Sequence, residues 1–342
     1  MNLCFLGFGN VNHALVRLLT SREAELRDQY GIEFQITGVA SRRIGWIADP
    51  DGLSPDQISE MGSIQTEIAA SPARTGMLAL RNLEEWLDVA RPDVLFEATS
   101  LNARTGQPAI SHLQAALERG AHAITANKGP VVHAYDELTA LAARMGRRFL
   151  FESCVMDGVP IFSLFRDTLP LVHLRGFRGV LNSTTNVILG GMEQGLSFDD
   201  SLLQAQKLGV AETDASDDID GWDAAVKVAA LVRVLMSVKL DLGKIRRTGI
   251  RALTGEMVRA ARAEGRPYKL VCTAQRIANG VEASVTPEQI ALTDPLALVE
   301  GTSSVVYFET DIFPGLALVE DRPGLDATAY GMLADFVRAV TK

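Results

Sequence analysis

Cysteine is scarce: three residues in 342, Cys4, Cys154 and Cys272, scattered and odd in number. Such a set builds no disulfide framework, has no metal-ligand spacing and fits a reducing compartment. No two of the five histidines stand at i,i+4 to pair with a carboxylate as third partner, which argues against a catalytic metal. No apolar run approaches the roughly 20 residues that a membrane span needs. The opening "MNLCFLGFGN" lacks a basic n-region and is broken by glycine, so it does not read as a signal peptide. Positive charge is in deficit: 33 Lys and Arg against 42 Asp and Glu give a net charge of −9, which argues against nucleic acid or an anionic membrane as the main partner. Internal repeats and low-complexity tracts are missing as well. The expectation is a cytoplasmic protein.

What is there is an ordinary globular mixture, 47% hydrophobic and 22% charged, long enough for two domains. The first half alternates short apolar runs with helical stretches, the pattern of parallel α/β units. Strands are expected at "NLCFLG" (2–7), "FQITGVA" (34–40), "DVLFEAT" (93–99), "HAITAN" (122–127) and "RFLFES" (148–153). Helices are expected at about 11–30, 108–119 and 135–145, and 44–76 reads as loop-rich. Beyond residue 160, "LRGFRGV" (174–180) reads as a strand and helices are plausible at 184–194, 198–208 and 222–239. A β-rich part follows at 268–277, 281–287 and 303–310, and 327–340 is helical again. The expected fold is α/β: a Rossmann-type doubly wound sheet over 1–145, then an α+β domain over 146–325. The last helix, 326–342, is expected to pack back on the first domain.

"GFGNVNHA" follows the first strand and opens a helix. Gly7 and Gly9 fit a dinucleotide fingerprint: a tight turn, then close approach of backbone to a pyrophosphate at a helix N-terminus. Phe8, Asn10 and Val11 complete that turn, and Asn12 stands where a third glycine would pack the helix on the strand. The plainer reading is a doubly wound fold whose glycines serve only the turn. The second strand runs into Ser41, Arg42 and Arg43, with no acid to hold a ribose diol. Two guanidiniums there favour a 2′-phosphate, hence NADP over NAD, unless they are only solvated surface charge.

"ETDASDDIDGWDAAVK" (212–227) packs six carboxylates into sixteen positions and ends on a lysine at the start of an apolar helix. Asp223 lies at i,i+4 from Lys227, the spacing that puts both on one helix face. An ordinary helix ion pair has the same spacing. With "EATSLN" (97–102), "TANKGP" (125–130) and "GVLNSTTNVIL" (179–189), this stretch resembles the homoserine dehydrogenase family over nearly the whole chain. No aspartate kinase or C-terminal regulatory domain is expected beside it.

The resemblance implies reversible reduction of aspartate 4-semialdehyde to homoserine with NAD(P)H, a step of threonine and methionine biosynthesis, in a homodimer joined through the second domain. Lys128 and Lys227 match the family's two active-site lysines, with Asp223 orienting the second. A lysine desolvated in a cleft can exchange a proton near neutral pH. Glu212 and Asp218 match carboxylates that would receive the substrate ammonium. Asn182, Thr184 and Thr185 would serve its α-carboxylate. Asp217 and Asp220 are read as helix caps. Ala98, Thr99, Ser100, Lys128 and Gly324 join the cofactor set. Glu152 with the carbonyls of Val155, Asp157 and Val159 would surround a monovalent cation such as Na+.

Departures cluster near these positions. Asn12 replaces a glycine, Ser183 replaces the glycine of "NGT", and Met156-Asp157 stands where small residues are usual. The glycine-rich loop that covers the nicotinamide in the family is "EDRPG" (320–324) here. They keep three other readings open: a different small amino or hydroxy acid as substrate, a non-catalytic NADP-binding homologue, and Cys154 as a thioester-forming nucleophile.

Overall fold

In the computed structural model, which describes residues 1–54, 57, 58, 61 and 78–341, β1 (Asn2–Leu6) shows how the N-terminal sheet is built. Leu3 and Phe5 enter one buried cluster while Cys4 and Leu6 enter another, the alternation imposed by a two-residue period. Both faces are covered, so the strand reads as a continuous apolar run. The other strands are β2 (Gln35–Ser41), β3 (Gly45–Ala48), β4 (Leu78–Leu80), β5 (Val94–Glu97), β6 (His122–Thr125) and β7 (Phe149–Leu150). Their order is β4-β3-β2-β1-β5-β6-β7; the five from β2 to β7 are parallel, and β3 and β4 extend one edge antiparallel. One face is covered by α1 (Asn10–Ser21), through Leu15 and Leu19, and by the last helix, α11 (Leu325–Val340), through Met332 and Phe336. The other face carries Trp86 and Leu87 of α3 (Leu83–Ala90) and Ala115 and Ala116 of α4 (Ala109–Glu118).

The helix expected over 11–30 is two helices. Ser21 turns its hydroxyl back to the carbonyl of Leu18 (2.9 Å), α1 stops there, and α2 (Glu23–Tyr30) starts beyond Arg22. α5 (Lys128–Arg144) is kinked at Ala134 (φ −134°, ψ 22°): the helix expected from 135 follows the kink, and an unexpected helical piece over 128–133 precedes it. Pro130 is harmless in its first turn, where no amide needs an intrahelical partner. Of "RFLFES" only Phe149 and Leu150 pair in the sheet, and Glu152–Cys154 is a 3-10 turn. The loop expected at 44–76 falls largely outside the described residues; within them, 45–48 is a strand.

The chain divides into one unit of Met1–Pro160 plus the segment from Gly324 onward, and a second of Ile161–Pro323. The crossing comes after Pro160 rather than at 145, because β7 still completes the first sheet. The second unit holds β8 (Leu174–Val180), β9 (Arg246–Arg247), β10 (Tyr268–Ile277), β11 (Gly280–Gln289), β12 (Ser304–Thr310) and β13 (Leu316–Glu320). They run β13-β12-β8-β10-β11-β9 and pair antiparallel except β9 with β11. Its helices include α6 (Ser183–Glu193), α7 (Phe198–Lys207), α8 (Ser216–Ile219), α9 (Trp222–Leu235) and α10 (Gly255–Ala263), with α6 and α9 against β10. The second unit is an α+β arrangement and the first an α/β one. α3, α10 and the edge strands β3, β4, β9 and β13 were not expected from the sequence. Among the described residues, no helix is long and apolar enough to cross a membrane.

Candidate active site

In the first unit the chain leaves β1 into a left-handed residue, Gly7, at φ +81°. A Cβ there would lie 2.5 Å from the backbone carbon and oxygen of Ala98, so only glycine fits. Gly9 is exposed, has space around it and caps α1 without a side-chain bond, which leaves the first-turn amides of Asn10 and Val11 for an anion. Phe8 is buried and packs on Phe5 and His13. Asn12, fully buried, does not push the helix away from the strand. Its Nδ2 donates to the carbonyls of Leu6 (3.2 Å) and Gly7 (3.1 Å) and fastens the helix to the turn.

At the end of β2, the Ser41 hydroxyl accepts from the amides of Arg43 (3.3 Å) and Ile44 (3.4 Å). Arg42 and Arg43 are exposed, and Arg42 reaches the Ser100 hydroxyl at 3.3 Å. Ala98 to Ser100 follow β5. Asn127 caps α5: its Oδ1 accepts from Gly129 N–H (3.0 Å) and its Nδ2 donates to the carbonyl of Thr99 (3.2 Å). Lys128, half-buried, is the first residue of that helix. Under the same turn lies Cys154, a buried thiol directed at the carbonyls of Asn127 (3.6 Å) and Thr125 (3.8 Å). Burial holds its pKa well above the usual thiol range, the opposite of what a nucleophile requires. Gly324 is exposed at the N-terminus of α11, beside α1, where Arg17 approaches Asp326 at 3.5 Å. A cradle only glycine can form and an uncapped helix start together fit a dinucleotide, with two exposed guanidiniums at the end of β2.

The residues read as a cation site have protein partners. Glu152, 2% exposed, pairs with Arg338 of α11 at 3.3 Å. Asp157 takes a left-handed φ of 42°, and its Oδ1 accepts from the Thr328 hydroxyl. Val155 is buried and Val159 donates its amide to the Met156 carbonyl at 2.8 Å.

In the second unit, β8 delivers the chain to Leu181 and Asn182, where α6 starts. Asn182 is 3% exposed and every bond it can make is made. Its Oδ1 accepts from the amide and the hydroxyl of Thr185 (both 2.9 Å). Its Nδ2 donates to Asp218 at 2.6 Å and to Asp223 at 3.1 Å. Thr184 donates to the other Asp218 oxygen at 3.0 Å. Lys227 Nζ donates to the carbonyl of Leu181 at 2.6 Å and pairs with Asp223 at 3.1 Å, one turn away on α9. Asp223 sits in the first turn of that helix, where the dipole favours a carboxylate by about 0.3–1 kcal/mol. Burial, then the Asp223 charge, raise the Asp218 pKa, while Asn182, Thr184 and Lys227 pull it down. Beneath them Cys272 of β10 is fully buried, and burial pushes its thiol up to about 12.

The other acids divide differently from the expectation. Glu212 is exposed in the loop before α8, where only its backbone carbonyl takes a bond, from Gln206. Asp220 stands at the C-terminal cap of α8, while its side chain pairs with Arg251 through both oxygens, the closer at 2.5 Å. Asp217 is exposed, and the cap of Ser216 comes from Asp214 instead. In "EDRPG", Asp321 accepts from the Ser303 hydroxyl (2.9 Å), which in turn accepts from the Arg322 amide (3.0 Å). Sequence reasoning passed over Asn127 as a cap and the buried Glu97; a lone acid closing an apolar strand was the available signal.

A family model described as homoserine dehydrogenase matches residues 160–337, and one described as homoserine dehydrogenase, NAD binding domain, matches 7–152. An NAD(+)-dependent homoserine dehydrogenase from Pseudomonas canavaninivorans is 33% identical over 98% of this chain and 95% of its own. A homoserine dehydrogenase from Methanocaldococcus jannaschii is 31% identical, covering 98% of each chain. Among solved structures, a putative homoserine dehydrogenase from Archaeoglobus fulgidus aligns over 100% of both chains with a TM-score of 0.85 at 28% identity. A hyperthermophilic archaeal homoserine dehydrogenase mutant in complex with NADPH aligns over 99% of this chain and 97% of its own, with a TM-score of 0.80 at 27% identity. The glycine cradle of the first unit and the carboxylate–lysine network of the second both fall within these matches, and the chain belongs to the homoserine dehydrogenase family.

Proposed function

We propose that the chain interconverts L-aspartate 4-semialdehyde and L-homoserine with a nicotinamide dinucleotide, and that it prefers NADP(H). The observation that carries the reading is Lys227 Nζ, held by the Leu181 carbonyl and Asp223 inside a network that also contains Asp218. A bound nicotinamide would supply or accept the hydride at C4 of the substrate. Lys227 moves the matching proton to or from the C4 oxygen, and Asp223 keeps the ammonium aimed. Asp218 and Glu212 receive the substrate ammonium; each Asp218 oxygen already takes one bond and keeps a lone pair for another. Asn182 has no capacity left for substrate, and the hydroxyls of Thr184 and Thr185 are engaged. The α-carboxylate therefore falls to the first-turn amides of α6, at Ser183 and Thr184, which have no intrahelical acceptor. Lys128 is the second active-site lysine on the strength of the family motif.

Gly7 to Val11 would hold the cofactor's pyrophosphate and Ser41, Arg42 and Arg43 its 2′-phosphate, with Ala98 to Ser100, Lys128 and Gly324 completing the set. Replacing Arg42 and Arg43 together by alanine is expected to cut kcat/KM for NADP+ by about ten- to a hundredfold, since bonds to charged groups are worth about 1.5–3 kcal/mol. The NAD+ value should stay within about twofold. Steady-state rates with both cofactors decide it, and equal losses for the two would remove the 2′-phosphate assignment. The reading includes a homodimer, which sedimentation velocity checks.

A pH profile tests Asp218. Its folded pKa is raised, so it ionises only above the ordinary carboxylate range of about 3.9, and the acid limb of kcat/KM should lie above that value. The sign for stability is opposite to that of a salt-bridged acid: its contribution is full below the unfolded pKa and fades as pH rises through the folded one. Thr184→Val deletes a bond to the charged form and should move the acid limb further up. An unmoved limb would exclude Asp218 as the titrating group.

A further inference from the structure

The first unit contains a buried carboxyl group that the proposed reaction does not use. Glu97, the last residue of β5, is completely buried. Its Oε1 accepts from the amide of Thr99 (2.8 Å) and from the Thr99 hydroxyl. Its Oε2 accepts from the hydroxyl of Thr125 at 2.6 Å, across to the end of β6. Thr125 Oγ1 in turn accepts from the amide of Asn127 at 2.9 Å, and Asn127 Nδ2 returns to the carbonyl of Thr99 at 3.2 Å. The bonds close a ring: Glu97, Thr125, Asn127, Thr99 and back to Glu97. Lys128 stands between Asn127 and Gly129, and those two neighbours are bonded to each other through the Asn127 side chain.

Stability alone is a weak reason for such a group. Burying a carboxylate is expensive, and well-packed apolar replacements of buried charge networks are often neutral or stabilising. What a carboxylate offers, and an amide does not, is acceptance on both oxygens. Three donors converge on it, and an amide would turn N–H groups towards the Thr125 hydroxyl. The ring thereby fixes the relative setting of two loops, one carrying Ala98, Thr99 and Ser100, the other Asn127 and Lys128.

We propose that Glu97 is a positioning residue for cofactor binding and turnover, acting by clamping the loop after β5 to the loop after β6. The proposal rests on the reading that these loops serve the nicotinamide dinucleotide. The test uses Glu97→Gln and Thr125→Val in the full chain, with the NADPH dissociation constant from fluorescence titration, kcat with homoserine, and the melting temperature. The expected result is a roughly tenfold weaker NADPH affinity and a roughly tenfold lower kcat in Glu97→Gln, with a smaller shift of the same sign in Thr125→Val. Affinity and kcat within about twofold of the parent in both variants, whatever the melting temperature does, would overturn the clamp. Should Glu97→Gln fail to fold, Thr125→Val alone decides by the same criterion. Because the NADPH titration needs no substrate, it still reads the clamp if homoserine proves not to be turned over.

Discussion

Lys227→Ala is expected to lower kcat by about a hundred- to ten-thousandfold, the range that a positioned proton-transfer group supplies. Alanine is a good helix former, so α9 should persist. The variant loses the bond to the Leu181 carbonyl and the partner of Asp223, and leaves the cofactor cradle of the other unit untouched. NADPH affinity should therefore equal that of the parent. Lys227→Arg should not rescue the rate, because a guanidinium stays protonated and cannot exchange the proton. Single-turnover rates with circular dichroism as a fold control measure this. A Lys227→Ala enzyme with unchanged turnover would end the site assignment.

Gly7→Ala is the second large effect, and it acts on binding. The residue sits at φ +81°, a conformation that costs a side-chain-bearing residue about 1 kcal/mol or more. The added methyl would meet Ala98 carbon and oxygen at 2.5 Å and Thr99 nitrogen at 2.6 Å, all backbone atoms that cannot rotate away. Either the turn after β1 or the loop after β5 must move, and both serve the cofactor in this account. A displacement of that size typically costs about a hundredfold, so NADPH affinity should fall by about that factor with some loss of melting temperature. Fluorescence titration gives the number. Parent-like affinity would mean that the pyrophosphate is held elsewhere.

Much of the fold was legible because its signals are local. β1, β2 and β5 are covered on both faces, so they stand out as short apolar runs between glycines and polar turns. β8 and β10 run over the residues their sequences suggested. The pieces that were missed have weak local signals. β4 is a three-residue edge strand, and the piece of α5 before its kink at Ala134 opens on Gly129-Pro130, which reads as a breaker. The ion pair of Asp220 was missed for a related reason: its partner Arg251 lies 31 positions on, and nothing in "DDIDG" announces it.

The candidate site divides in the same way. Gly7, Gly9, Lys128 and the Asp223–Lys227 pair follow from motifs or from i,i+4 spacing. What the motifs could not say is how the groups are used. Asn182 meets Asp218 and Asp223 from 36 and 41 positions away, and that geometry turns a nominal substrate ligand into a brace between two carboxylates. It separates their charges and fixes the acid that orients Lys227. Asn12 looked like a defect in a glycine fingerprint and is a fastener, because its amide finds two strand-end carbonyls.

The central claim is that the second unit recognises an α-amino acid through the carboxylates around Lys227. The most direct measurement compares NADP+ reduction by L-homoserine with that by 4-hydroxybutyrate, which has the same reacting alcohol and no ammonium. NADP+-linked turnover of homoserine is expected, with a loss of at least about a hundredfold in kcat/KM for the deaminated analogue, the scale on which a site with unpaired buried polar groups rejects it. Equal kcat/KM for the two, or no oxidation of homoserine at all, would contradict it.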